Sequence, residues 1–340
     1  MVMVDGAELR EFVRLFEVPE VALPYLDRMV NPDEVRLVLA AATSALTMES
    51  AAQVLGVSAD EAAAALDSAF HRAVLDREGE DGYFVYHPTS YYTRLDIFAT
   101  FDSDWDDFPP ETREALDAWM LDEYVEKVRP NVERLKAGLP ATGSPGNDSI
   151  LLLEELDAIV DAATTIAVVP CDCRRLGQKC QRRVDTETCV QFDAKAEKKL
   201  ARGYGRQLTA KEAKQLLARA DRRGLMHTTD LQVGEDGPAP MCNCCADDCY
   251  VFRAAARLDS KGAWPRSRYV ATHNAESCQM CGACVARCHF GAFHFDGTTV
   301  ERAGLDVHNV VFDQDRCWGC GLCTAVCMTD SITLVPLDAK

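Results

Sequence analysis

No stretch of this 340-residue sequence reaches the 18 or so consecutive apolar residues that a bilayer-spanning helix requires, so no membrane span is expected. The opening segment MVMVDGAELREF has neither a basic stretch nor an apolar core, which argues against an export signal and for a cytoplasmic protein. No G-x-G-x-x-G and no Walker-type phosphate loop occurs, and GYGRQL at 203–208 is only superficially glycine-rich, so no flavin or nucleotide fingerprint is present. Basic charge is scarce too. The chain has 36 Lys and Arg against 54 Asp and Glu, a net charge of −18, which is the wrong sign for general affinity to nucleic acid.

What the sequence has in excess is cysteine, 16 in all. In a secreted chain that would suggest disulfides. Without an export signal, and with C-x-x-C spacings, metal ligation is the better reading.

The charge is unevenly spread. Residues 1–160 hold 32 acidic and 12 basic side chains, a net of −20, whereas residues 161–340 hold 22 and 24, a net of +2. Within the second part, CRRLGQKCQRR and KAEKKLARGYGRQLTAKEAK form a basic block. It reads either as a solvated surface or as compensation for anionic clusters or docking of an acidic partner.

A chain of this length suggests two or three domains. Apolar spacing at Leu9, Phe12, Val13 and Phe16 predicts a helix over 8–30. NPDEVRLVLAAA reads as a helix with Pro32 in its first turn, and TMESAAQVLGV as a short helix opened by Thr47 with Ser50 near its start. SADEAAAALDSAFHRAVL is a helix with Ser58 and Glu61 as a capping box, and LDREGEDGYFVYHP a hairpin across Gly79–Gly82. That order is winged-helix-like. Its third helix offers Asp60, Glu61 and Asp67 against His71 and Arg72, with alanines at 62–65, which argues against a nucleic-acid partner and for a structural or protein-docking role.

The segment after it, YYTRLDIFATFDSDWDDFPP, is aromatic, and a helix follows from Pro110. AGLPATGSPGNDS marks a boundary. Beyond it, ILLLEELDAIVDAA reads as a helix, TTIAVVP as a strand ending on Cys171, and TAKEAKQLLARADRRG as a helix capped by Thr209 and stopped at Gly224. LMHTTDLQV is a candidate strand and CYVFRAAARL a helix.

Cys278, Cys281, Cys284 and Cys288 are spaced C-x2-C-x2-C-x3-C, and Cys317, Cys320, Cys323 and Cys327 repeat the pattern 39 residues on. A [4Fe–4S] cluster needs four thiolates at the corners of a compact tetrahedron. Three close cysteines in a tight loop can wrap three corners, with Gly282, Gly319 and Gly321 allowing the sharp turn and the fourth cysteine placed at the start of a helix. The segment 268–340 resembles the bacterial two-cluster ferredoxin domain. The resemblance implies that Cys278, Cys281, Cys284 and Cys327 hold one cluster, and Cys317, Cys320, Cys323 and Cys288 the other. The usual proline after each fourth cysteine is replaced by His289 and Met328. That leaves turn geometry and solvent access open, with His289 either pH-responsive or an idle surface imidazole.

Eight cysteines remain: Cys171, Cys173, Cys180 and Cys189 in PCDCRRLGQKC and DTETCVQF, and Cys242, Cys244, Cys245 and Cys249 in MCNCCADDCY. Three readings stand open. They are one or two further iron–sulfur clusters, a zinc site, or a redox-active thiol set around the adjacent pair Cys244–Cys245. Cys245-x3-Cys249 also echoes half of a sirohaem–cluster motif, but Cys173-x6-Cys180 misses the other half by one residue. Arg174 and Arg175 would offset the charge of a thiolate-bound cluster.

The whole chain resembles a family of prokaryotic 4Fe–4S-binding proteins known by architecture rather than role, on PCDCRR, ETCVQF, MCNCC and the ferredoxin repeat. The expected fold class is α+β multidomain. It comprises a helical winged-helix-like domain (1–140), a cysteine-rich α/β middle domain (150–260) and a 2[4Fe–4S] ferredoxin fold (268–340). The expected function is an electron-transfer protein or subunit passing electrons to a redox partner protein. The alternatives are an oxidoreductase with a substrate-binding cluster in the middle domain, with His227 or Asp172 as acid or base, and a redox-sensing regulator.

Overall fold

The computed structural model of the chain describes residues 5–80, 82–143, 145–182, 185–231 and 237–337. They form two compact units, one of residues 1–120 with 202–204, the other of 121–201 with 205–340. Both mix helix and sheet, and the chain is of the α+β class.

In the first unit, α1 (Gly6–Leu15) starts on Asp5, whose side chain accepts from the N–H groups of Ala7 and Glu8. The helix expected over 8–30 is broken after α1. Glu17 has φ 59, and a 3-10 turn at Glu20–Tyr25, capped by Pro19 and containing Pro24, precedes α2 (Leu26–Met29). Apolar periodicity survives such a break, so spacing alone does not reveal it. The next three helices follow their caps: α3 (Pro32–Thr43) on Asn31 and Glu34, α4 (Met48–Leu55) on Thr47 and Ser50, and α5 (Ala59–His71) on Ser58 and Glu61. The Ser58 hydroxyl, and then its N–H, hold the Glu61 carboxyl below the usual carboxylate range. That box therefore contributes at neutral pH and is lost as pH falls through the lowered pKa.

Strands β1 (Leu75–Glu80) and β2 (Tyr83–Pro88) pair antiparallel, and Tyr86 N–H donates to Leu46 O beside them. Asp81, inside the expected turn, lies outside the described residues. The aromatic segment, which has no helical face in its residue pattern, forms α6 (Tyr91–Phe101), followed by α7 (Pro110–Lys136). Phe98 packs between Trp105 and Phe108, with ring centroids 6.4 and 5.4 Å away. Buried Arg94 and half-buried Arg72 both donate to the carbonyl of Met29, and Arg72 also pairs with buried Glu34 at 2.7 Å. Replacing Asn31 with alanine removes the α3 cap and is expected to cost about 1 kcal/mol. The change should appear as a lower urea midpoint at unchanged slope.

In the second unit, β3 (Ser149–Leu151) and a 3-10 turn precede α8 (Leu156–Ala162), so the helix expected from Ile150 begins as a strand. β4 (Ile166–Pro170) runs straight into Cys171 and α9 (Asp172–Gly177). After β5 (Glu187–Phe192) come α10 (Asp193–Ala201), β6 (Arg206–Gln207), α11 (Ala210–Arg222) and β7 (Met226–Thr229). Gln232 and Val233, the end of the strand expected there, lie outside the described residues. β8 (Cys242–Cys244) and α12 (Tyr250–Arg257) complete this part. Two three-stranded antiparallel sheets result, in the orders β5-β4-β6 and β3-β7-β8. Their core includes Leu156, Val168, Phe192, Leu217 and Met241. Finally, β9 (Tyr269–His273) pairs with β12 (Ile332–Pro336), and between them lie α13 (Ala283–Arg287) and the hairpin of β10 (Phe293–Arg302) and β11 (Leu305–Phe312). No helix among the described residues is long and apolar enough to cross a membrane.

Candidate iron–sulfur site

The two cysteine repeats are wound into loops around hollows. Gly282 (φ 74) caps α13 in the left-handed conformation, and Gly319 (φ 62) and Gly321 (φ 78) turn the second loop. A side chain at Gly319 would place its Cβ 2.0 Å from the carbonyl oxygen of Tyr269, so only glycine fits there.

A cavity of about 290 Å³ is lined by Cys278, Cys281, Cys284 and Cys327, with Val310, Met328 and Ile332 among its walls. A second, of about 20 Å³, is lined by Cys288, Cys317, Cys320 and Cys323, with Phe290, Phe293, Trp318 and Leu334. Each hollow therefore draws three thiols from one repeat and one from the other.

Backbone N–H groups point at the sulfurs. Met280 donates to Cys278 at 3.3 Å, Ala292 to Cys288 at 3.3 Å, and Gly319 and Ala271 to Cys317 at 3.4 and 3.5 Å. Such donors stabilise sulfur that carries negative charge. Burial pushes the free thiols of Cys284 and Cys320 up to about 11 and about 12, so metal binding must displace their protons. Four thiols, inward N–H groups and apolar walls fit an iron–sulfur cluster in each hollow, since no nitrogen or carboxylate ligand competes among the lining residues.

Two expectations are corrected. The fourth cysteine of the first repeat does not open a helix: Cys288 follows the C-terminus of α13, and Cys327 follows the one-turn 3-10 helix Thr324–Val326. His289 is not an idle surface imidazole. Its Nε2 donates to Gly224 O at 2.6 Å, and burial depresses its pKa to about 4.

The eight middle cysteines come from five places in the chain. Cys171 and Cys173 flank the start of α9, Cys180 lies just beyond it, Cys189 is on β5, Cys242 and Cys244 are on β8, and Cys245 and Cys249 precede α12. The CNC segment is thus a strand. Thiol–thiol interactions link six of them in the order Cys171, Cys173, Cys249, Cys244, Cys242, Cys189. The Cys249 to Cys244 sulfur distance is 3.2 Å. The remaining two, Cys180 and Cys245, interact with each other.

Polar side chains that the sequence reading did not single out line the group. Gln191 Nε2 donates to Cys189 Sγ at 3.0 Å, and Thr228 Oγ1 lies 3.5 Å from Cys244 Sγ. Buried Asp248 accepts the N–H groups of Lys179 and Cys180 at 2.8 and 2.9 Å. The adjacent acids in CADDC were the one available sequence signal for it. Arg174, also buried, donates to Asn243 O at 3.0 Å and to Thr188 Oγ1. Burial works against its charge, but the thiols of Cys171, Cys245, Cys244 and Cys180 outweigh that and raise its pKa. His227 Nδ1 meets Asn243 Oδ1 at 2.6 Å, and Asp172 Oδ1 accepts from Cys173 N–H at 2.7 Å.

Neither curated proteins nor solved structures gave a match to this chain. Residues 277–331 match the 4Fe-4S dicluster domain family. With the two four-thiol hollows, that match makes the C-terminal segment an iron–sulfur domain of ferredoxin type and supports an electron-transfer role.

Proposed function

We propose that the chain is an electron-transfer protein or subunit that serves a partner oxidoreductase from the cytoplasm. The observation that carries this reading is the sorting of eight C-terminal thiols into two hollows of four. Cys278, Cys281, Cys284 and Cys327 would hold one [4Fe–4S] cluster, and Cys317, Cys320, Cys323 and Cys288 the other. A bound cluster supplies reversible one-electron transfer. The chain's own part is to orient and shield. Inward N–H groups fix the sulfurs, and Phe290, Phe293 and Trp318 keep water from the second hollow. Cys281 is the exposed thiol of the first hollow, beside Met328, which is 96% exposed, so partner access is easiest there.

At least one further cluster, drawn from Cys171, Cys173, Cys180, Cys189, Cys242, Cys244, Cys245 and Cys249, belongs to the same reading. Burial, the chain of six interacting thiols and the Arg174 cation favour it. The division into a region 1–140, a cysteine-rich region 150–260 and a ferredoxin region 268–340 is the functional one we propose. The order α3, α4, α5, β1, β2, with Tyr86 bonded back to Leu46, supports a winged-helix-like arrangement in the first. Its α5 exposes Asp60, Glu61 and Asp67, and Asp67 engages His71 and Arg77, which favours protein docking over DNA reading. His227 is buried, with Nδ1 on Asn243, and Asp172 accepts from Cys173 N–H, and the burial of the imidazole disfavours its use as an acid or base on a substrate.

The test is iron, acid-labile sulfide and zinc per chain on anaerobically purified protein. About twelve or more irons and no zinc are expected. About eight irons would remove the further cluster, and none would overturn the whole reading.

A further inference from the structure

Two middle thiols stand apart from the other six. The sulfurs of Cys180 and Cys245 and a carboxylate oxygen of Asp247 all lie within 4.8 Å of one another. Cys171 and Cys173 group likewise with Asp172, but their interactions run on to Cys249 and the rest of the six, whereas those of Cys180 and Cys245 are with each other. The adjacent pair Cys244–Cys245 is split by the fold. Cys244 ends strand β8 and turns to Cys249 at 3.2 Å, while Cys245, next along an extended segment, points the other way.

The pair is asymmetric. Cys245 is 1% exposed and packs with Ala220 and Leu225, whereas Cys180 is half-buried. Asp248 anchors both, accepting the Cys180 N–H and lying 3.9 Å from Cys245 Sγ.

Both arms are tied to the segment that ends in Cys288. Ala246 N–H, next to Cys245, donates to His289 Nδ1 at 3.5 Å. Arg182, two residues after Cys180, donates to the carbonyls of Ala286 and Arg287 at 3.1 Å each. A short covalent and hydrogen-bonded path therefore joins each thiol to a lining residue of the second hollow.

We propose that Cys180 and Cys245 are a redox-active dithiol that reduces a disulfide substrate and is itself re-reduced from the Cys288 side. The re-reduction rests on the electron-transfer reading above. In the first step the Cys180 sulfur attacks one sulfur of R–S–S–R′, that bond breaks, and R′S⁻ leaves. The Cys245 sulfur then attacks Cys180, and RS⁻ leaves. The two protons of the dithiol go to the two leaving thiolates, so the substrate gains two electrons and the pair ends as a disulfide. Its return to the dithiol takes two protons and two electrons, delivered singly by a low-potential one-electron donor protein. Half-exposed Cys180 is the attacking thiol and buried Cys245 the resolving one.

The experiment treats the anaerobic, iron-loaded full chain with oxidised glutathione, alkylates free thiols, and reads peptides by mass spectrometry beside iron per chain. The expected result is a peptide pair linked through Cys180 and Cys245 with iron unchanged. Addition of a reduced bacterial ferredoxin should reopen the link, and Cys320→Ser should slow that reopening by about tenfold or more. Cys180→Ser and Cys245→Ser should each abolish the link and keep the iron count. A loss of about four irons in either variant would make these thiols cluster ligands and overturn the proposal. So would wild-type chain in which both thiols remain alkylatable after glutathione, or one zinc per chain lost with either serine. Iron-free wild type that still forms the link would instead overturn the electron-transfer reading, and with it the re-reduction step, while the exchange step stands.

Discussion

Replacing Gly319 with alanine is expected to empty the second hollow of iron and to destabilise the second unit by about 3 kcal/mol or more, well above an ordinary surface change. Two costs combine. The left-handed backbone at φ 62 penalises any residue with a Cβ by about 1–2 kcal/mol. The new Cβ would also stand 2.0 Å from the Tyr269 carbonyl oxygen and 2.7 Å from its carbon. Tyr269 is in β9, in register with Pro336 of β12, so its backbone cannot retreat without opening that ladder. Overpacking against fixed backbone adds about 1–3 kcal/mol. Gly297→Ala provides the comparison. Its φ is 85, but nothing lies within 4 Å of the added atom, so only the backbone penalty applies. Thermal unfolding and iron counts on the two variants decide the matter, and equal losses would show that the approach of Tyr269 does not constrain the loop.

Arg174→Leu should remove iron held by the middle thiols while leaving the ferredoxin complement in place. Arg174 is 6% exposed, donates to Asn243 O and Thr188 Oγ1, and its charge faces four thiols. Once metal deprotonates the ligands among them, Cys171 and Cys244, the cation becomes one side of a buried charge group. Taking one side away from such a group costs about 3–5 kcal/mol. In the metal-free chain, where fewer of these sulfurs carry charge, the expected loss is the smaller cost of stranded acceptors, about 1–3 kcal/mol. Arg174→Lys should rescue only in part, because an ammonium lacks the planar fork that reaches both acceptors. Urea unfolding with and without metal separates the two regimes. A leucine variant with undiminished iron would show that the cation plays no part in holding metal.

The helices α3, α4 and α5 were legible from sequence because their determinants are local. A capping side chain meets an N–H two or three residues ahead, whatever surrounds it. The same holds for α11 on Thr209 and Glu212. The reading failed where a local pattern is compatible with two backbones. Leu9 to Met29 keeps helical periodicity across a break at Glu17 and Pro19, and the apolar run at Ile150 serves a strand as well as a helix. The segment YYTRLDIFATF is apolar on most sides, so it had no face to signal α6. Seven of its eleven residues are buried.

The two C-terminal thiol sets show the same division. A spacing of two intervening residues determines that Cys278, Cys281 and Cys284 stay close together, because the chain between them is too short to do otherwise. The pairing of Cys245 with Cys180, and of Cys244 with Cys249, depends on which side of β8 each sulfur leaves and on what packs there. Likewise, His289 acquires its bond to Gly224, and Arg174 its neighbours Cys244 and Cys245, only when segments 65 or more residues apart meet. The sequence by itself determined the elements, the composition of the site and the short-range geometry of its loops, because those follow from bonds within a few residues. The tertiary structure alone decided which thiols face one another and which charges they share, because those distances are set by packing between distant segments.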